Sequence, residues 1–295
     1  MRRFAHVHVS VGDVNSIGVE KFMITAAPSP SRRSMPFDAV AEEYDARFTN
    51  SLIGRAQRES VWLEMDRLFR PGQRVLEINC GTGVDALHLS ARGIQVMACD
   101  ASTEMIAVAR RRSDGSTLRN NVDFRTLAIE QISELEKKEL YDGVLSNFAG
   151  LNCVADLRSV ARDLARLVRP GGKAILCLFG RVCLWEMLWY TLHGDIKKAF
   201  RRFRAEGVTV NLTPGHSILV RYLSVDSLRR DFAEQFRLVS WKGAGIAVPP
   251  SYLEPWAERY PWLFKFAAKI DPLIAQCPGF RALADHVVVV LERVV

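Results

Sequence analysis

The stretch Val75-Leu76-Glu77-Ile78-Asn79-Cys80-Gly81-Thr82-Gly83 constrains this chain more than any other. An apolar strand closes on a glycine-bearing turn, and a helical pattern follows at once from Val84. Glycine lets a backbone bend and approach a ligand where a Cβ would clash. Further along, Ile94-Gln95-Val96-Met97-Ala98-Cys99-Asp100 reads as a second strand ending in an acid. A carboxylate at that place can accept hydrogen bonds from ribose hydroxyls. Strand, glycine turn, helix, strand and acid together describe the nucleoside-binding half of a doubly wound sheet.

The alternation continues. Strands are expected near 74–79, 95–100, 122–127, 141–146 and 173–179, with helices near 84–92, 103–112 and 157–168 between them. Such a pattern gives a parallel sheet with right-handed crossovers. Ahead of it, Phe37, Val40, Ala41, Tyr44 and Phe48 fall at helical spacing over 38–48, and a second helix covers 53–68. After residue 180 the alternation stops. One or two helices over 182–203 carry Trp185, Leu188, Trp189 and Leu192, followed by a basic cluster of Lys197, Lys198, Arg201, Arg202 and Arg204. A strand pair, a helix over 224–233 and strands over 236–247 and 285–294 follow, separated by a long aromatic insertion at 249–284. Residues 1–34, with a run of Pro, Ser and Arg from Ala26 to Ser34, read as a flexible tail. Residues 35–295 read as one domain with cap segments near 180–223 and 249–284.

Two ligand classes fit the glycine turn. Gly81-Thr82-Gly83-Val84-Asp85-Ala86 matches the dinucleotide fingerprint G-x-G-x-x-G/A. The longer stretch from Glu77 to Gly83 resembles the first motif of class I S-adenosylmethionine-dependent methyltransferases, acid-x-Gly-x-Gly-x-Gly, with Asn79 in place of the first glycine. Asn is the residue other than glycine that best tolerates left-handed backbone angles. Leu167 to Leu176, with Pro170-Gly171-Gly172 at its turn, resembles the approach to that family's fifth strand. Tyr141 to Asn147 is similar to its fourth, and Phe124 to Glu130 sits where the family carries Asp-Ala-Glu, with Ala128 in place of the Asp. The resemblance covers residues 36–180.

The resemblance implies an α/β fold: a doubly wound, seven-stranded, mostly parallel sheet with an antiparallel last strand, plus helical cap insertions. It implies S-adenosylmethionine as cofactor. Glu77 and Asn79 would shape the loop at the cofactor's amino end, Gly81 and Gly83 would pass under its methionine part, and Asp100 with Ala101 would hold the ribose. Backbone groups near Ile129 would meet the adenine, and Asn147, with Asn152 further along, would face the methyl. Tyr44 would fold over the cofactor, and Arg58 would pair with its carboxylate. Each has a plainer alternative: Asp100 as a cap on the next helix, the asparagines as turn residues, Tyr44 as a core aromatic, Arg58 as a surface cation.

Methyl transfer from a sulfonium needs positioning and water exclusion more than acid or base groups. The catalytic residue, if there is one, is therefore not legible; His193 and His216, nearest the expected cap, are the base candidates. The histidines show no metal-ligand spacing beyond His6 and His8, and no metal is expected. The six cysteines form no C-x-x-C pair and are expected as reduced thiols in a cytoplasmic protein. No secretory leader is expected, since the N-terminal arginines precede no continuous apolar run. The net charge of +7 is modest, no long block of like charge occurs, and Ser146-Asn147-Phe148-Ala149 stands where base methylators carry Asn-Pro-Pro-aromatic. The expected partner is a small, fairly apolar acceptor and no nucleic acid, with an anionic membrane met by Trp185, Trp189, the aromatics of 249–284 and the basic cluster as the alternative. A nicotinamide oxidoreductase and a binding protein without turnover are the rival functions; oligomeric state is not legible.

Overall fold

The computed structural model describes residues 35–114, 121–135 and 139–294. The tail expected over 1–34 lies outside the described residues.

A sheet of seven strands forms the centre: β1 (Arg74–Ile78), β2 (Gln95–Asp100), β3 (Val122–Thr126), β4 (Tyr141–Ser146), β5 (Val168–Phe179), β8 (Phe236–Ala244) and β9 (His286–Arg293), in the order β3-β2-β1-β4-β5-β9-β8. β1 pairs parallel with β2 and β4, while β9 lies antiparallel between β5 and β8. The expected fold class is found. β5 starts earlier than expected, at Val168, because Pro170-Gly171-Gly172 continues the pairing through a bulge opposite Tyr141–Gly143 instead of ending it.

The strands are buried on both faces, as a parallel sheet requires. Leu76 and Ile78 of β1 meet α5 (Leu157–Leu167) and α8 (Val225–Phe232) through Leu164, Leu228 and Phe232. Val75 meets α2 (Leu52–Leu68), α3 (Val84–Ala91) and α4 (Thr103–Asp114) through Met65, Leu89 and Ile106. Strand alternation therefore puts Glu77 on the α2/α3 side with Val75. The helix ends carry sequence-encoded caps. Ser51 accepts the Gly54 amide at 2.9 Å, and Asp156 accepts those of Arg158 and Ser159 at 3.0 and 3.1 Å.

The helix expected over 38–48 is broken into a 3-10 turn (Asp38–Val40), α1 (Ala41–Tyr44) and a π turn (Asp45–Thr49). Its registry is diverted by side chains that bond the sheet rather than the helix. Asp38 accepts from Ser102 at 2.5 Å, and Asp45 accepts from Thr82 at 2.7 Å.

α6 (Leu184–Leu192), α7 (Ile196–Ala199), the hairpin β6 (Val208–Thr213)–β7 (His216–Val220), α9 (Glu254–Arg259) and α10 (Pro261–Ile274) form the cap. Trp185, Trp189, Tyr252, Trp256 and Phe264 share a small apolar core there with Ile53 of α2. Glu254 caps α2 from outside by accepting the Ile53 amide at 3.0 Å.

Candidate active site

Each strand of the parallel half ends at the same edge, and the residues singled out by sequence meet there. Asn79 and Gly81 take left-handed backbone angles, φ 58° and 52°, just beyond β1. Asn79 holds its conformation with a side-chain bond from Nδ2 to Ser146 Oγ at 3.1 Å, which links the β1 turn to the end of β4. A Cβ on Gly81 would meet open space, whereas one on Gly83 would lie 2.7–2.8 Å from Phe124 and Ala109. The first glycine therefore leaves a cradle above the loop. The second serves helix–sheet packing, the role of the third glycine in nucleotide folds.

Asp100 ends β2 with Oδ2 accepting the Gly81 amide and Oδ1 accepting the Ser102 amide, both at 2.9 Å. Burial raises its pKa, and those amides pull it back. Ala101 follows it on the half-buried rim. Ile129 opens a 3-10 turn beyond β3, and its side chain goes into the core, so only its backbone is available to the edge.

The electrostatic centre is on the α2/α3 side. Glu77 is 1% exposed, and its Oε2 has no hydrogen-bond partner. Burial, reinforced by the Asp85 charge and opposed by Arg58, pushes its pKa well above the usual carboxylate range. Arg58 donates Nη1 to Asp85 Oδ2 at 2.6 Å, and its own Nε is buried without a partner. Asp85 also accepts from Trp62 Nε1 at 2.6 Å and from Asn147 Nδ2 at 2.9 Å. Asn147 Oδ1 meanwhile accepts the Phe148 amide at 2.9 Å, so both ends of this amide are engaged within the protein. Above them lies Tyr44, its hydroxyl pushed up to about 12 by burial and by the carboxylates Asp85, Asp100 and Asp45, with Arg58 opposing.

Past β4 the chain does something no motif announced. Phe148 and Ala149 both take left-handed angles, φ 48° and 66°. A bulky residue there is costly and marks an over-determined site. The turn is held by Arg58, whose guanidinium sits 4.6 Å from the Phe148 ring centre, and by the Ala149 amide donating to Cys177 O at 3.0 Å. The Phe148 ring contacts Phe48 at 4.8 Å and His286 at 5.6 Å, and His286 stacks on Phe179 at 4.6 Å.

His193 and His216 are not at this edge. His193 is exposed at the end of α6 with Nδ1 2.7 Å from Trp189 O, and His216 lies on the hairpin beside Thr213. The histidine at the edge is His286, buried at the start of β9. Its signal was available: an antiparallel last strand begins at the end where parallel strands finish. Burial, with Arg202 adding and Asp285 opposing, keeps its pKa below the ordinary value. Asp285 faces it at 3.4 Å. Burial alone would raise the Asp285 carboxyl, but His286, Arg202 at 2.6 Å and Gln57 at 3.2 Å hold it below the ordinary value. Arg202 and Arg201 both bond the buried Glu186, so two of the five residues of the expected basic cluster belong to an internal ion network. The Trp185/Trp189 stripe faces inward too, with Trp185 Nε1 donating to Ile246 O at 2.9 Å. Among the described residues no cluster of ligating side chains could hold a metal ion.

A glycine turn under an acid-terminated second strand, on this strand order, is the geometry of a doubly wound nucleoside-binding fold. Residues 75–172 match a family described as "Methyltransferase domain". The tRNA 5-carboxymethoxyuridine methyltransferase of Escherichia coli K12 is 30% identical over 54% of this chain and 57% of its own length. The demethylmenaquinone methyltransferase of Clavibacter sepedonicus is 31% identical over 51% of this chain and 59% of its own length. The chain thus spans under two thirds of the curated relatives it matches. The CcbJ methyltransferase of Streptomyces caelestis superposes over 90% of this chain and 100% of its own with a TM-score of 0.58, at 15% identity, a likeness of fold. Residues 75–172 are thus similar to methyltransferase domains, and the fold is one that CcbJ shares. The residues present fit S-adenosylmethionine: a cradle stands open at Gly81, and Glu77 Oε2 and Arg58 Nε are buried without a hydrogen-bond partner.

Proposed function

We propose that this protein is an S-adenosylmethionine-dependent methyltransferase acting on a small, fairly apolar molecule in the cytoplasm. The observation that carries the reading is the pair of unsatisfied buried groups, Glu77 Oε2 and Arg58 Nε. Buried polar atoms are normally paired, so an acceptor and a donor left open together call for a ligand carrying both charges. The ammonium and carboxylate of an amino acid match them. The bound cofactor supplies a methyl group already activated by its sulfonium charge. Glu77 takes the ammonium, Arg58 offers its Nε to the carboxylate, and Asn79 and Gly81 shape the backbone under it. Asp100 and Ala101 meet the ribose, the Ile129 backbone meets the adenine, and Tyr44 closes over the site. Asn147, oriented by Asp85, borders the reacting face.

On the acceptor side Phe48, Phe148 and Phe179, half-buried and packed with the buried His286, give apolar and aromatic lining, as small-ligand sites have. His286, kept neutral, can take a proton there. The named relatives act on a tRNA uridine and on demethylmenaquinone; the aromatic walls favour an acceptor of the second kind. Arg201 and Arg202 are bound to Glu186 rather than free for phosphates, which argues against nucleic acid. All six cysteines are free, as suits a reducing compartment.

Thermal shift tests the cofactor: S-adenosylmethionine and S-adenosylhomocysteine should raise the melting temperature and NAD should not. Labelled methyl transfer to a solvent-extractable product tests the acceptor. Label in RNA would overturn the small-molecule reading, and binding without any turnover would leave a binding protein.

A further inference from the structure

The solvent face of α10 carries a row of large apolar side chains. Trp262, Phe266 and Leu273 are 70%, 58% and 76% exposed. Together with Lys269 they stand at positions i, i+4, i+7 and i+11, one continuous stripe of a helix. Lys265 flanks it. The opposite face of the same helix is fully used: Phe264 and Ala268 enter the cap core, and Asp271 accepts the amides of Gly245, Ala247 and Val248 at 3.0, 2.6 and 3.1 Å. The helix is thus pinned on one side and bare on the other. α6 shares that cap core through Trp185 and Trp189 and leaves Leu188 and Leu192 exposed.

Charge indicates what covers the stripe. α10 carries Lys265 and Lys269 on its exposed side, while its acid, Asp271, is buried and fully bonded. At the helix approach, Arg259 offsets the exposed Glu258. A Trp, a Phe and a Leu between cations that can extend their ammonium groups past the apolar surface form the pattern of a helix lying in an anionic bilayer interface. No helix among the described residues is long and apolar enough to cross a membrane, so the contact is peripheral.

We propose that α10 docks this protein on anionic lipid surfaces, with Trp262, Phe266 and Leu273 inserted at the headgroup boundary and Lys265 and Lys269 paired with lipid phosphates. Of the membrane face the sequence suggested, the aromatics of 249–284 remain, whereas Trp185, Trp189, Arg201 and Arg202 are turned inward. The inference concerns the surface alone and does not depend on the acceptor.

The test is co-sedimentation of the full chain with phosphatidylcholine vesicles, with and without phosphatidylglycerol, at low and high salt. Binding should require the anionic lipid and weaken with salt. W262S/F266S/L273S should lower vesicle partitioning by roughly tenfold or more. K265E/K269E should remove the salt-sensitive part. Both variants should keep the wild-type melting temperature and its shift with S-adenosylhomocysteine, since none of these side chains enters the core. Failure of the wild-type chain to bind, or unchanged binding by the triple variant, overturns the proposal. Conversion of a wild-type dimer to a monomer by the triple variant in sedimentation velocity, without vesicle binding by either, would instead assign the stripe to a second copy of the chain.

Discussion

The acid that ends β2 sets the loop that follows β1: Asp100 Oδ2 accepts the Gly81 amide at 2.9 Å while Oδ1 accepts the Ser102 amide at 2.9 Å. Of the two roles the sequence offered for Asp100, ribose acceptor and helix cap, the second falls to Ser102, whose Oγ accepts the Met105 amide at 3.1 Å. The Asp100 carboxylate orients that cap residue through its amide, fixes the cradle, and has lone pairs left for hydroxyls. Asp100→Ala should cost about 1–3 kcal/mol of stability, the scale for stranding buried amides, and weaken S-adenosylhomocysteine binding by at least a comparable amount. Calorimetry showing lost stability with unchanged affinity would restrict Asp100 to holding the loop.

The two glycines of the turn should separate in mutagenesis. A Cβ at Gly81 meets nothing within contact distance, while one at Gly83 runs into Phe124 and Ala109. Both sit at positive φ, so each Ala variant carries about 1 kcal/mol of backbone strain. Gly81→Ala should keep a cooperative fold and lose cofactor affinity. Gly83→Ala should lose stability first, by about 1–3 kcal/mol beyond the strain, as overpacking does. Equal urea midpoints for the two would contradict this division.

Glu77 trades stability for binding. Burial pushes its pKa above the ordinary carboxylate value. A carboxyl raised on folding stabilises fully below its unfolded pKa, and that contribution is lost as pH rises through the folded pKa. Glu77→Gln removes the buried charge. Its melting temperature should therefore match or exceed wild type, with the margin widening from acid toward neutral and alkaline pH. Its affinity for S-adenosylmethionine should fall about tenfold or more, the worth of a charge-assisted bond. A margin that shrinks with rising pH would show that Glu77 is ionised and paired in the free protein.

Much of this was legible because it is local. Strand periodicity and glycine turns located all five parallel strands, and the acid at the end of β2 needed only its place in the pattern. What escaped depends on partners far apart in sequence. Arg202 reads as one more cation in a basic helix until Glu186 and Asp285 are found beside it, and Trp185 reads as part of a helix stripe without a known partner until its Nε1 finds Ile246 O. The break in the first helix is of the same kind, since Asp45 chooses Thr82 over its own helix. Phe148 carried no sequence signal at all: its positive φ is imposed by Arg58, Asn147 and Cys177 around it.

Arg58 and Asp85 form the pair on which that arrangement rests. Both side chains are almost wholly buried, and Asp85 gathers Arg58, Trp62 and Asn147 from α2 and the end of β4. Removing one member of a buried pair leaves the other charge uncompensated, at a cost of about 3–5 kcal/mol, whereas replacing both by apolar groups costs much less. Arg58→Met and Asp85→Leu should each shift the denaturant midpoint strongly, and the double variant should recover part of the loss, giving a coupling of about 0.5–3 kcal/mol. The recovered fold should still bind S-adenosylhomocysteine weakly, because the donor left open on Arg58 has gone. Additive losses in the cycle would show that the two residues act independently, and full affinity in the double variant would remove Arg58 from the cofactor site.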